Sequence, residues 1–328
     1  MVMFWVAILA VSILLDVLLD GFDLGIGILF GLTRNEARRR EMLSAVAPIW
    51  DGDETWLVVA GVILWGAFPV VYATLFSAFY LPLLLMLAGL ILRGVAFEYR
   101  YKTERMRWIW DASFAGGSLV AAFIQGMTVG ALVEGLPISN GQYTGGEFGW
   151  FSPFAVLCGI GLCLGDSLLG ACWLVRKCEG DVREQAYRLI PYLSAGLLAF
   201  LVIVFVYALA ENLRVMHRWL ELPYLLVFPA IGVIAAVVLA ASVRRRQDGA
   251  PFYMVALIFA AAFGTLAVSF WPYMIPFSIT IEEAAAPHSS LAFMFWGEGL
   301  FVFPLMLLYT VISYSVFRGK VRPTARHH

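Results

Sequence analysis

The chain has 328 residues, of which 62% are hydrophobic and only 14% are charged, and its formal net charge is −1 at pH 7. Soluble domains contain about 45–50% apolar and about 25% charged residues, so this composition excludes a soluble fold and indicates that lipid surrounds most of the chain. The small net charge provides no global positive field that would attract nucleic acid or acidic substrates.

Nine apolar runs follow one another along the chain, each of the roughly 20 residues that a helix needs to cross a bilayer. Because they are too long and too continuously apolar for barrel strands, we expect an all-α fold in which residues 1–328 form a single membrane domain of about nine transmembrane helices. The break between the second and third runs, around Tyr72 to Phe76, is short. The runs lie near residues 3–32, 54–74, 76–97, 108–133, 150–175, 189–210, 222–243, 250–272 and 289–317.

Basic residues are concentrated in alternate connections between these runs. Arg214 and Arg218 are the only ones in the remaining connections. Since Lys and Arg mark the cytoplasmic side, we expect the N-terminus in the periplasm, the C-terminus in the cytoplasm and an odd number of spans. The residues that carry this bias are Arg34, Arg38, Arg39, Arg40, Arg100, Lys102, Arg105, Arg107, Arg176, Lys177, Arg183, Arg188, Arg244, Arg245, Arg246, Arg318, Lys320, Arg322 and Arg326.

Three aspartates, Asp16, Asp20 and Asp23, lie within the first run, where an ionisable side chain costs about 2.5–3.5 kcal/mol on insertion scales. At 100° per residue they fall within about 60° of one another, which predicts an acidic stripe on one helix face. The stripe pairs with an arginine or with backbone groups, or else it forms a proton relay or the surroundings of a cofactor propionate. The same helix carries two small-xxx-small pairs, which predict close helix contacts: Gly21 with Gly25 and Gly27 with Gly31.

A second acidic cluster opens the second run, where Asp51, Asp53 and Glu54 lie between Trp50 and Trp56. Asp51 with Glu54 three residues later has the form of a helix N-cap, and acids at this position suit the helix dipole. Three acids in four residues exceed what a cap needs. Because the charge bias places this cluster at the cytoplasmic face, it is a candidate mouth for proton uptake.

Three further charged residues lie inside the predicted spans. Arg93, near the cytoplasmic end of the third, either extends to the membrane surface or neutralises Asp20 or Asp23. Asp166 in the fifth and Glu298 in the ninth are further candidates for buried acids, and the small residues around Asp166 predict a packed helix interface.

Histidine is absent from the predicted spans, because His217 and His288 fall in connections and the other two end the chain. A membrane haem usually takes His, or His with Met, as its axial ligands, so the chain is poorly equipped to hold haem by itself. Met86, Met127 and Met294 are interpreted as core residues. We expect no metal site and no catalytic residue in this chain.

Several sequence strings resemble those of subunit II of cytochrome bd-type ubiquinol oxidases. The two signature strings are residues 20–27 (DGFDLGIG) and 50–56 (WDGDETW), and the resemblance extends over essentially the whole chain. Residues 123–126 (FIQG) and the short connections most resemble the cyanide-insensitive branch. Further similar stretches are residues 66–69 (GAFP), 93–100 (RGVAFEYR), 270–276 (FWPYMIP) and 305–310 (LMLLYT).

The resemblance implies a haem-free second subunit of a quinol:oxygen oxidoreductase in the bacterial inner membrane. Two b-type haems and haem d are then expected in subunit I, the partner that reduces oxygen with cytoplasmic protons. A small single-helix subunit, and a quinone or lipid bound in this chain, stay open.

The resemblance also carries residue roles. It places Asp23, Asp51 and Arg93, and more weakly Asp20, Trp50 and Glu54, in a proton path or polar support beside the partner. Asp53 departs from the family pattern, which has Asn there, so it stays open which acid carries protons. A proton-coupled secondary transporter and a purely structural scaffold are the alternative functions.

Overall fold

The computed structural model describes residues 1–103, 105–139, 142–211, 213–221 and 223–321. Its α-helices are α1 Val2–Leu32, α2 Glu36–Ser44, α3 Trp50–Ala67, α4 Pro69–Ala78, α5 Tyr80–Tyr99, α6 Arg107–Glu134, α7 Pro153–Lys177, α8 Gly180–Ala210, α9 Arg214–Glu221, α10 Val227–Arg244, α11 Ala250–Phe270, α12 Ile281–Ala284, α13 His288–Met294 and α14 Phe303–Val316. A 3₁₀ turn, Pro223–Leu226, precedes α10, and a π-helix, Phe295–Val302, joins α13 to α14. Two antiparallel pairs complete the described elements: β1 Ile138–Ser139 with β2 Gln142–Tyr143, and β3 Tyr273–Ile275 with β4 Ile279–Thr280.

Eight helical segments of the described chain are long and apolar enough to cross a membrane, which confirms the all-α membrane fold. The last of them runs without interruption from α13 through the π-helix to α14, as His288–Val316. The second predicted run corresponds to α3 and α4, which are not among the eight. The count of nine and the direction of the termini therefore stay predictions.

The predicted break around Tyr72 to Phe76 is wrong, because these residues lie within α4. The chain breaks instead at Phe68 and again at Phe79. Pro69, the first residue of α4, has no N–H to donate to the preceding turn, so α3 ends before it. The Ala67 carbonyl accepts a hydrogen bond from the Ala286 N–H (2.9 Å), which places the end of α3 beside the segment that leads into α13.

Helix α1 lies at the centre of the fold and packs against α3, α6 and α7. Its glycines make these contacts possible: a Cβ on Gly25 would overlap the Asp166 carbonyl of α7, and one on Gly27 would overlap the Ser118 hydroxyl of α6. Gly170 of α7 meets the α1 backbone from the other side. The predicted close helix contacts are thus confirmed.

The connections with most of the basic residues meet at one end of the bundle. Arg100 donates to Asp111 (2.5 Å) and to Glu36 (2.8 Å), and Arg39 donates to Asp111 (2.7 Å). Burial alone would raise the pKa of Glu36, but hydrogen bonds from Arg100 and Arg40 outweigh it, so this pKa lies below its ordinary value. The first and third connections are joined by these ion pairs.

The fifth and seventh connections and the C-terminal segment meet in the same way at Asp248. This carboxylate accepts hydrogen bonds from Arg183 (2.7 Å), Lys320 (2.9 Å) and Tyr187 (3.0 Å). They outweigh burial and hold the pKa of Asp248 below its ordinary value. Arg38 and Asp181 (3.1 Å) link this group to the first connection. Arg322, Arg326, His327 and His328 lie outside the described residues.

Candidate functional site

The buried guanidinium of Arg93 on α5 gathers carboxylates from two other helices. It forms ion pairs with Asp23 of α1 and with Glu54 of α3, and its Nη1 lies 3.5 Å from Asp20 Oδ1. Arg93 is only 1% exposed. The predicted pairing of Arg93 with the aspartate stripe is confirmed, and the alternative that it extends to the membrane surface is wrong.

This cluster is closed to solvent on the α1 side and opens on the α3 side. Asp20 and Asp23 are fully buried, whereas the Glu54 side chain is 27% exposed. A buried ion pair is tolerated only when the attraction between its charges offsets the loss of hydration, and Arg93 provides that attraction here. Because Glu54 is the most exposed of the three carboxylates, it is the one that can exchange protons with the surface most directly.

The start of α3 differs from the sequence expectation. Asp51 is not the N-cap, because α3 begins at Trp50 after Ile49 and no side chain caps it. The turn before the helix already satisfies its first N–H groups, with Trp50 donating to the Val46 carbonyl (3.1 Å) and Gly52 to the Ile49 carbonyl (3.0 Å). Asp51 is free to face outward and is exposed.

Asp53, the departure from the family pattern, points inward. Its carboxyl is buried and accepts a hydrogen bond from the Tyr314 hydroxyl of α14 (2.9 Å). Tyr314 belongs to the site but was not identified from the sequence, since the two residues are 261 positions apart and Tyr is common in apolar runs. Trp50 is half-buried and packs on Phe97 with ring centroids 5.2 Å apart, which supports this end of α3.

The two weaker acid candidates have different surroundings. Asp166 is buried at the α1–α7 contact, and its Oδ1 lies 3.1 Å from the point that a Cβ on Gly21 would occupy. The predicted packed interface at Asp166 is confirmed. Glu298 lies apart from this group, half-buried in the π-helix, where it lines a cavity of about 460 Å³ with Trp65 and Met294. The structure thus joins Asp166, but not Glu298, to the candidate site.

Several buried polar atoms of this site have no hydrogen-bond partner among the described residues: Asp16 Oδ1, Asp53 Oδ2, Asp166 Oδ2 and Arg93 Nε. Buried polar atoms are almost always paired in folded proteins, and polar side chains inside a membrane domain commonly line ion or proton pathways. The site contains six carboxyl groups, and three of them, Asp20, Asp23 and Glu54, pair with the guanidinium of Arg93. Carboxyl groups in such surroundings can bind and release protons.

Two of the three methionines that were expected in the core are found there. Met86 and Met127 are buried in the core, and Met294 is half-buried. The last membrane-length helix begins at His288, so this residue stands at the margin of a span and not before it. The side chain of His217 lies outside the described residues.

Comparisons with known proteins all find cytochrome oxidases, mostly of the bd type. The family described as cytochrome bd terminal oxidase subunit II matches residues 1–317. A probable cytochrome oxidase subunit 2 of Haemophilus influenzae is 32% identical, covering 97% of this chain and 94% of the relative. Cytochrome bd-I ubiquinol oxidase subunit 2 of Escherichia coli K12 is 30% identical with the same coverage. The solved bd oxidase of Geobacillus thermodenitrificans has the same fold, with a TM-score of 0.74 at 16% identity over 94% of this chain and 97% of that one.

Proposed function

Because the chain belongs to the cytochrome bd terminal oxidase subunit II family, we propose that it serves a ubiquinol-oxidising, oxygen-reducing complex as a haem-free subunit that lines a proton path. It is a multi-pass bacterial membrane protein and a subunit of an oxidoreductase complex whose partner is subunit I. The inner membrane, the nine spans and the periplasmic N-terminus are parts of the same proposal.

Haem belongs to the partner in this proposal, where two b-type haems and haem d would pass electrons from quinol to oxygen. The described side chains of His288, Met86 and Met127 do not suit axial ligation. His288 lies at the start of a helix, and Met86 and Met127 are packed into the hydrophobic core. Subunit II then contributes protons and support to chemistry that subunit I performs.

The observation that carries the proton path is the buried carboxyl cluster around Arg93, which opens at the end of the bundle where the basic connections meet. Asp51 is exposed there and can collect protons from the cytoplasm. Glu54 stands between this surface and the buried Asp23, and Arg93 holds both carboxylates in place. A proton that reaches Glu54 can move to Asp23 and then to Asp20 along one face of α1.

Arg93 has a second role in this path. Its fixed positive charge lets the cluster keep some carboxylates ionised, so that acceptors for an incoming proton exist inside the membrane domain. Asp53 with the Tyr314 hydroxyl lies beside this route and adds a further proton-exchanging pair. The path is therefore built from α1, α3, α5 and α14.

The path is tested with Asp23→Asn in the purified complex, because the amide keeps the shape of the side chain but does not exchange a proton as a carboxyl does. Quinol-driven oxygen consumption is expected to fall about tenfold or more, which corresponds to at least about 1.4 kcal/mol in the barrier. Asp181→Asn is the matched control, since its side chain is 79% exposed in a surface ion pair. Normal turnover in an assembled Asp23→Asn complex would refute the path and leave a structural scaffold.

The entrance is tested separately with Asp51→Asn. We expect slower oxygen reduction in a complex that still assembles, because the exposed carboxyl collects protons without supporting the fold. Unchanged turnover would remove Asp51 from the path and leave Glu54 as the entrance. Assembly is checked by co-purification of subunit I.

A further inference from the structure

A buried lysine lies at the end of the bundle where the basic connections meet. Lys177 is the last residue of α7, and it is only 6% exposed. Its Nζ donates hydrogen bonds to the backbone carbonyls of Phe317 and, at 3.4 Å, of Gly319, and it lies 4.9 Å from the ring centroid of Trp173. Lys177 therefore joins α7 to the segment that follows α14, and the proton path described above does not use it.

The positive charge of Lys177 has no carboxylate partner within the described part of the chain. The carboxylates of Glu179 and Asp248 pair with Lys320 instead, at 3.6 Å and 2.9 Å. Lysine is almost never fully buried unless it is paired. The carbonyls that follow α14 offset only part of the charge, because the end of a helix carries about half an elementary charge. An ammonium group has three N–H donors, so one donor remains after the two carbonyls.

A cavity of about 280 Å³ lies directly beside this lysine. Lys177 and Lys320 are the charged side chains that line it, and Ser44 at the end of α2 adds a hydroxyl. The other described lining residues, among them Ile49 and Phe317, have no polar side chain, and none of them is acidic. The cavity thus combines two positive charges with an apolar wall.

The cavity lies at the level where two membrane-length helices end. Helix α7 ends at Lys177, and the last membrane-length helix ends at Val316, which also lines the cavity. Since a membrane-spanning helix is matched to the thickness of the hydrocarbon core, its end marks the level of the lipid headgroups. Basic pockets between membrane helices at this level bind the headgroups of anionic lipids. A soluble phosphate ion carries the same group, but it gains nothing from an apolar wall.

We propose that this cavity binds the phosphate group of an anionic phospholipid, with Lys177 as its buried counter-ion and the partly exposed Lys320 at its rim. The glycerol and the upper part of the acyl chains lie against the apolar wall, beside Val316 and Phe317. The lipid then ties α2, α7 and the segment after α14 together. Its binding does not depend on the proposed proton path, because no residue of that path lines the cavity.

The site is tested by thermal unfolding of the purified complex in nanodiscs of phosphatidylcholine that contain increasing fractions of phosphatidylglycerol. The anionic lipid is expected to raise the unfolding midpoint, because a ligand that binds only the folded state stabilises it. Lys177→Met should require an about tenfold higher fraction for the same rise, since hydrogen bonds to charged groups are strong. Lys102→Met, an exposed lysine at the same end of the bundle, is the control and should respond as the unmodified complex does. If Lys177→Met lowers the midpoint equally at every lipid composition, Lys177 is only a structural cap, and the proposal is overturned.

If Lys177→Met does not assemble, a charge at Ser44 tests the same cavity and leaves the lysine in place. Ser44→Glu adds a carboxylate where the phosphate is expected and should remove most of the rise, whereas the uncharged Ser44→Gln, of the same size, should keep it. Equal responses of these two variants overturn the proposal. Inorganic phosphate, added to the complex in phosphatidylcholine alone, distinguishes the two sources of the group. We expect no change in the midpoint, and a rise that Ser44→Glu removes would assign the cavity to a soluble anion and overturn the lipid.

Discussion

Replacing Arg93 with Met tests whether the buried cluster depends on one positive charge. Methionine has a similar length and suits an apolar helix interior, so the substitution removes the charge with little loss of volume. Asp23 and Asp20 are then left without a counter-ion in the protein interior, whereas the partly exposed Glu54 still reaches water. The expected effect is a large and pH-dependent loss of stability.

The magnitude follows from the two choices that Asp23 has. As an unpaired buried carboxylate it costs about 3–5 kcal/mol, as in other broken buried pairs. As a neutral acid it must take up a proton, which at pH 7 costs about 4 kcal/mol for a group with an ordinary pKa of about 3.9. At pH 5 the same proton costs only about 1.5 kcal/mol. The penalty should therefore shrink by about 2.7 kcal/mol between pH 7 and pH 5.

The assay is the midpoint of thermal unfolding of the purified complex, followed by intrinsic tryptophan fluorescence at both pH values. With about 2 °C per kcal/mol for a large domain, Arg93→Met should lower the midpoint by roughly 6–10 °C at pH 7 and by much less at pH 5. Arg38→Met, which breaks an exposed pair with Asp181, is the matched control and should cost less than about 1 kcal/mol. Adding Asp23→Asn to Arg93→Met should restore most of the loss. A penalty that is independent of pH, or one that Asp23→Asn does not relieve, would refute the reasoning.

Two further predictions concern the packing and the cytoplasmic ion pairs. Asp248 has a lowered pKa, so its contribution is fully present above about pH 4, the ordinary carboxyl value, and is lost as pH falls through the folded pKa. Asp248→Asn should therefore lower the unfolding midpoint at pH 7 and should lower it less at pH 3. An equal deficit at both pH values would contradict this. Gly25→Ala would overlap the Asp166 carbonyl and should cost about 1–3 kcal/mol or more, measured as yield and midpoint of the complex. Gly61→Ala, which meets no atom within 4 Å, should be neutral, and equal effects would exclude a packing cause.

The helical part of the site could be predicted from the sequence because helix geometry is local. The positions of Asp16, Asp20 and Asp23 define one face once the segment is known to be helical. An arginine inside a neighbouring apolar run is the natural partner for that face, and Arg93 is the partner found. Composition and charge bias are sufficient for the membrane fold itself.

The remaining part of the site depends on contacts that are remote in sequence. The outward Asp51 and the inward Asp53 follow from where α3 begins, which the preceding turn decides through backbone hydrogen bonds from Trp50 and Gly52. The contact between Asp53 and Tyr314 joins α3 to the last helix. No local sequence pattern predicts the start of α3 or the contact between Asp53 and Tyr314.

The close packing of α1 and the polar character of its neighbours have a common origin. Gly25 and Gly170 have no side chains, so the backbones of α1 and α7 come into direct contact there. The space between the two helices is therefore too small for lipid. Asp166 can occupy this place only because Gly21 leaves room for its carboxyl. The contact that stabilises the bundle is thus also the contact that shields the Asp166 carboxyl from the bilayer and sets it against Gly21, the residue next to Asp20. A substitution at Gly21 or Gly25 is therefore expected to change the stability of the bundle and the surroundings of the Asp166 carboxyl together.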